Sequence, residues 1–90
     1  MKLIIAIVRD ADLEQVSNAL TTNSFRVTLI ASTGGFLRRG STTLLIGVED
    51  PQLPQALDLI RKNVTPSTDQ QSQSHQGTIF VIPVEQYIRV

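Results

Sequence analysis

The stretch STGGFLRRGST, residues 32–42, concentrates the residue types that hold phosphate-bearing ligands. Gly34-Gly35 permits positive φ and lets successive backbone N–H groups point into one concavity, an anion-binding nest. Phe36 offers a ring on which a base or a neighbouring chain can pack, and Arg38 and Arg39 add positive charge. Thr33, Ser41, Thr42 and Thr43 supply hydroxyl donors. A Gly-Gly pair alone marks a plain turn between strands. Joined to an aromatic, flanking hydroxyls and the nearby Arg26, it points to a nucleotide or another aromatic phosphate.

Other chemistries find little material. The chain has no cysteine, which removes disulfides, thiolate metal sites and a cysteine nucleophile. The single histidine, His75, lies in a Gln/Ser stretch and reads as a solvated loop residue, so a nucleophile–base pair cannot be assembled. Asp10 and Asp12 could take a hard cation, but their place before an apolar periodic run favours helix capping. No enzymatic activity and no cofactor are expected. Eight basic side chains balance eight acidic ones, so no long-range field for a nucleic acid polymer or an anionic membrane is expected.

The elements that must position these residues run strand, helix, strand, strand, helix, strand. Met1–Val8 is a β-rich run, and Leu13, Val16 and Leu20 recur at helical spacing up to Asn23. Ser24–Ser32 alternates as a second strand and Thr42–Val48 forms a third. Asp50-Pro51 opens a second helix with Leu53, Ala56, Leu57, Ile60 and Val64 on one face, although Pro54 disturbs its first turn. Residues 65–77 lack periodicity and read as a mobile loop; Thr78–Val84 is the fourth strand, followed by an extended tail. This order predicts an α+β, ferredoxin-like βαββαβ domain over residues 1–90, an antiparallel sheet with two helices on one face.

Two helices cover one face of such a sheet. Yet Leu3, Ile5 and Ile7 alternate with Ile4, Ala6 and Val8; Leu45 opposes Leu44 and Ile46; Phe80 and Ile82 oppose Ile79 and Val81. Three strands apolar on both sides predict a contiguous open patch, and hence an oligomer that buries it. In the second strand Phe25, Val27, Leu29 and Ala31 belong to the core, which leaves Arg26, Thr28, Ile30 and Ser32 on the open face. An arginine there needs an acidic partner or an anionic ligand.

The segments MKLIIAIVRD, NSFRVTLIASTGGFLRRGSTTLLIGV and TIFVIPVEQY resemble the PII-like cyclic di-AMP receptors of bacteria over nearly the whole chain. FRVTLIASTGGFLRRGSTT is the most specific part. The resemblance implies a ferredoxin-like homotrimer that binds cyclic di-AMP in clefts between adjacent subunits and relays it to a downstream protein partner. It implies ligand contacts from Arg26 and Thr28, from the turn Gly35, Phe36 and Leu37, and from Gly47. Ser24 and Ser41 stand where well-known receptors carry asparagine, so a single hydroxyl replaces an amide at two further ligand positions. The connection at residues 65–77 is also shorter than is usual in those receptors. A trimeric adaptor or a mononucleotide sensor that does not bind cyclic di-AMP is the alternative.

Other families of this topology fit less well. The first and third strands hold no aromatic on which RNA bases could stack. The acylphosphatase turn is absent, and so are the long second-to-third-strand loop and the basic nucleotide-binding strand of the nitrogen-regulatory PII proteins. The apolar run Leu3–Val8 is far short of the roughly 20 residues of a membrane span and meets Arg9 and Asp10 at once, so a cytoplasmic protein is expected.

Overall fold

The computed structural model describes residues 1–30, 40–64 and 77–90. Four strands and two helices alternate as β1 (Lys2–Arg9), α1 (Asp10–Thr22), β2 (Val27–Ile30), β3 (Ser41–Val48), α2 (Leu53–Asn63) and β4 (Gly77–Pro83). The strands form one antiparallel sheet in the order β2-β3-β1-β4. This is the βαββαβ arrangement expected from the apolar periodicity.

The core lies between the sheet and the helices. Ile4, Ala6 and Val8 of β1 and Leu44, Ile46 and Val48 of β3 are buried against Val16 and Leu20 of α1 and Ala56 and Ile60 of α2. Burying each of the larger aliphatic chains contributes about 1.5–3 kcal/mol. Leu13, Leu53, Leu57 and Val64 pack at the margin of this cluster, as their helical spacing predicts.

Local chemistry departs from the sequence expectations at several boundaries. Neither Asp10 nor Asp12 caps α1: the N-cap position is Arg9, which makes no side-chain capping bond. Asp10 is instead the first helical residue, and Asp12 is fully buried with Arg9 Nε and Nη2 donating to its Oδ2 at 3.2 and 3.0 Å. The second strand does not begin at Ser24. That residue ends α1 at φ 70°, its amide donating to Thr21 O at 3.1 Å while Phe25 N–H donates to Leu20 O at 2.9 Å. A residue in the left-handed region closing the last turn is a common helix stop. Asp50-Pro51 opens a 3-10 turn, Asp50–Gln52, before α2 proper, with Pro54 in the first turn of the helix. There Pro54 gives up no bond that the helix needs. The sequence after Val84 forms no strand.

The pairing register sorts every strand residue to one face. Thr28, Leu45, Ile5 and Phe80 stand level across all four strands, and Ile30, Thr43, Ile7 and Thr78 form the next row. Gly47, Leu3 and Ile82 form a third. These rows make up the face turned away from the helices. Its central chains are half-buried by one another, whereas Phe80 (52%), Ile82 (43%) and Ile30 (40%) stand open. Leu29 corrects the expected core. Its register opposite Leu44 puts it on the helix side, yet it is 53% exposed because β2 is the edge strand.

Candidate functional site

Arg26, Thr28 and Gly47 come together at one corner of the open face. Thr28 lies on β2 level with Leu45, and its side chain is exposed. Val27 pairs with Ile46, so continuing the antiparallel register by one residue sets the exposed Arg26 level with Gly47. Gly47 leaves the sheet surface low at that point: a Cβ there would meet only Met1 Cε, at 3.1 Å. Ser24 lies two residues upstream of Arg26, exposed at the end of α1.

Positive charge at this corner is available to an incoming group. Among the described residues no hydrogen bond or ion pair is made by Arg26, whose side chain faces solvent. Met1 closes the corner, its amino group 3.1 Å from Asp50 Oδ1 and its carbonyl accepting from Val84 N–H at 3.0 Å. The N-terminal ammonium, by hydrogen bond and then by charge, holds the Asp50 carboxyl below the usual carboxylate range. Asp50 is thus an anion already matched to a cation, and Arg26 is left for something else.

Ser41 does not join this corner. It is the first residue of β3, half-buried and level with Arg9. Gly47 lies six positions further along the same strand, roughly 20 Å at the rise of an extended chain. The candidate positions therefore divide between two ends of one strand. Gly35, Phe36 and Leu37, with Thr33, Arg38, Arg39 and His75, lie outside the described residues.

Three features go beyond the sequence reading. Phe80, already expected on the open face, stands exposed in the same row as Thr28, which shows only once the register aligns β4 with β2 through the two central strands. Thr43 Oγ1 is buried and makes no hydrogen bond among the described residues, a cost that neighbouring apolar positions do not carry. The third is the polar cluster at the start of α1. Thr42 Oγ1 donates to Asp10 Oδ1 at 2.6 Å, beside the Arg9–Asp12 pair. The i,i+3 spacing of Arg9 and Asp12 was the available signal, but capping competed with it. Among the described residues no three His, Cys, Asp or Glu side chains cluster as metal ligands, and no helix is long and apolar enough to cross a membrane.

Comparison with known proteins bears on the family and the fold. The family model described as "Cyclic-di-AMP receptor" matches residues 1–76. A crystal structure described as a functionally unknown protein from Pediococcus pentosaceus ATCC 25745 superposes with a TM-score of 0.77 at 35% sequence identity, covering 99% of this chain and 96% of the other.

Proposed function

Because the chain belongs to the cyclic-di-AMP receptor family, we propose that it is a homotrimeric signalling protein that binds cyclic di-AMP between subunits and relays it to a protein partner. The open sheet face carries this reading. It presents Leu3, Ile5, Leu45, Phe80 and Ile82 in contiguous rows, an apolar patch of the kind obligate interfaces bury. Arg26 and Thr28 stand at its edge, where a ligand lodged beside a neighbouring subunit meets a cation and a hydroxyl.

The separation of Ser41 from Gly47 supports a shared site. Ser41 and Gly47 stand near opposite ends of β3, and a site shared between adjacent copies would let both positions meet one ligand. Arg26 supplies a charge-assisted bond to a phosphate and Thr28 a neutral one. Gly47 lets the ligand approach the strand backbone closely. The sequence motif and the family support adding Gly35, Phe36 and Leu37 to the ligand contacts, with the Phe36 ring as the group suited to adenine.

The serines at positions 24 and 41 favour one competing reading: a trimeric adaptor, or a mononucleotide sensor, with contacts too few for the cyclic dinucleotide. Calorimetry against cyclic di-AMP, ATP and AMP, paired with sedimentation equilibrium, separates the readings. Binding of cyclic di-AMP at one site per chain, by a particle of about three chain masses, is the expected result. A stable monomer, or no binding heat with cyclic di-AMP, overturns the receptor reading; heat with ATP or AMP alone makes the protein a mononucleotide sensor.

A further inference from the structure

The chain enters β3 through Gly40, Ser41 and Thr42, and one helix residue holds the outer two. Asp10 N–H donates to Gly40 O at 2.8 Å, and Thr42 Oγ1 donates to Asp10 Oδ1 at 2.6 Å. Ser41 lies between these two anchors. Gly40 adopts φ 87°, a conformation suited to glycine, and an added Cβ there would meet nothing among the described residues. Asp10 is itself fixed, because it begins α1 and the adjoining Arg9 donates twice to the buried carboxylate of Asp12.

Thr42 is out of pattern for its place in the strand. The register sets it opposite Val8, on the side where Leu44, Ile46 and Val48 are all apolar and buried. A hydroxyl at that position is explained by the short bond to Asp10 rather than by packing. The bond aligns the strand entry with the helix start, and the next residue back, Ser41, points to the opposite face.

We propose that Asp10 and Thr42 are positioning residues for the ligand site, setting the backbone on both sides of Ser41 so that its hydroxyl meets the ligand. This rests on the receptor reading above, and neither residue touches the ligand. Preorganising one contact in this way affects affinity rather than assembly.

A double-mutant cycle between Thr42 and Ser41 tests it, with cyclic di-AMP as the titrant in calorimetry. Thr42→Val should weaken binding about three- to tenfold, the range of one ordinary hydrogen bond, and Thr42→Ser should restore it. In a Ser41→Ala background the same Thr42→Val change should have almost no further effect, since Thr42 acts through Ser41. Asp10→Ala supplies the same cycle should Thr42→Val fail to assemble. Wild-type affinity in Thr42→Val, or an equal loss with and without Ser41, overturns this proposal alone. Absence of binding by the wild-type protein overturns the receptor reading and this proposal with it.

Discussion

Arg9 and Asp12 form an ion pair in which the two charges are unequally exposed: the Asp12 side chain is 1% accessible and that of Arg9 40%. The acid depends on the base more than the base depends on the acid. Arg9 can turn to water when its partner is lost, whereas Asp12 cannot. Arg9→Ala should therefore destabilise the folded protein, measured by urea unfolding at fixed protein concentration. Asp12→Asn, which leaves an amide in place of the charge, should cost clearly less. Equal losses in the two variants would contradict the asymmetry.

Ser24 holds φ at 70°, where a side chain with a Cβ costs about 1–2 kcal/mol. Ser24→Gly removes that strain but adds about 0.5–1 kcal/mol of unfolded-state entropy, so the net gain should be about 0.5–1 kcal/mol. Ser24→Asn should also stabilise, because asparagine tolerates the left-handed region. Both variants should melt higher than wild type in the absence of ligand. A lower melting temperature for both would show that the serine hydroxyl contributes more than the backbone strain costs.

Gly77 and Gly47 should respond differently to the same added methyl. A Cβ at Gly77 would lie 2.9 Å from Ile7 O on the paired strand, a backbone atom that cannot move without disturbing the β1–β4 ladder. Gly77→Ala should cost about 1–3 kcal/mol. At Gly47 the obstacle is the terminal methyl of Met1, which can swing aside, so Gly47→Ala should leave unliganded stability nearly unchanged. Its effect should instead fall on ligand affinity, and calorimetry on the same variant reads that separately.

Arg26→Ala tests the charge at the candidate corner. A lost charge-assisted hydrogen bond should weaken cyclic di-AMP binding by about ten- to a hundredfold. Sedimentation of the unliganded variant should give the same assembly as the wild-type protein, because Arg26 is exposed at the edge of the apolar face. Dissociation of the unliganded variant would make the arginine an interface residue rather than a ligand contact.

The element order, the face pattern and the family were legible in the sequence because each rests on local periodicity or on a contiguous motif. Alternation along β1 and β3 names both faces of the sheet without any knowledge of pairing, since side chains in a strand point to opposite sides by geometry. Helical spacing identified Val16, Leu20, Ala56 and Ile60 as core for the same reason. Tertiary structure decided what depends on position across the sheet. Leu29 fits the core alternation but lies on an edge strand, where the helices do not cover it. Asp12 has the composition of a cap, yet burial beside Arg9 makes it an ion-pair partner. The levels of Arg26, Thr28 and Gly47 follow from the antiparallel register, and the hold of Asp10 on Gly40 and Thr42 from the meeting of the helix start with the strand entry. Register is set by long-range pairing between strands, and no local run of residues encodes it.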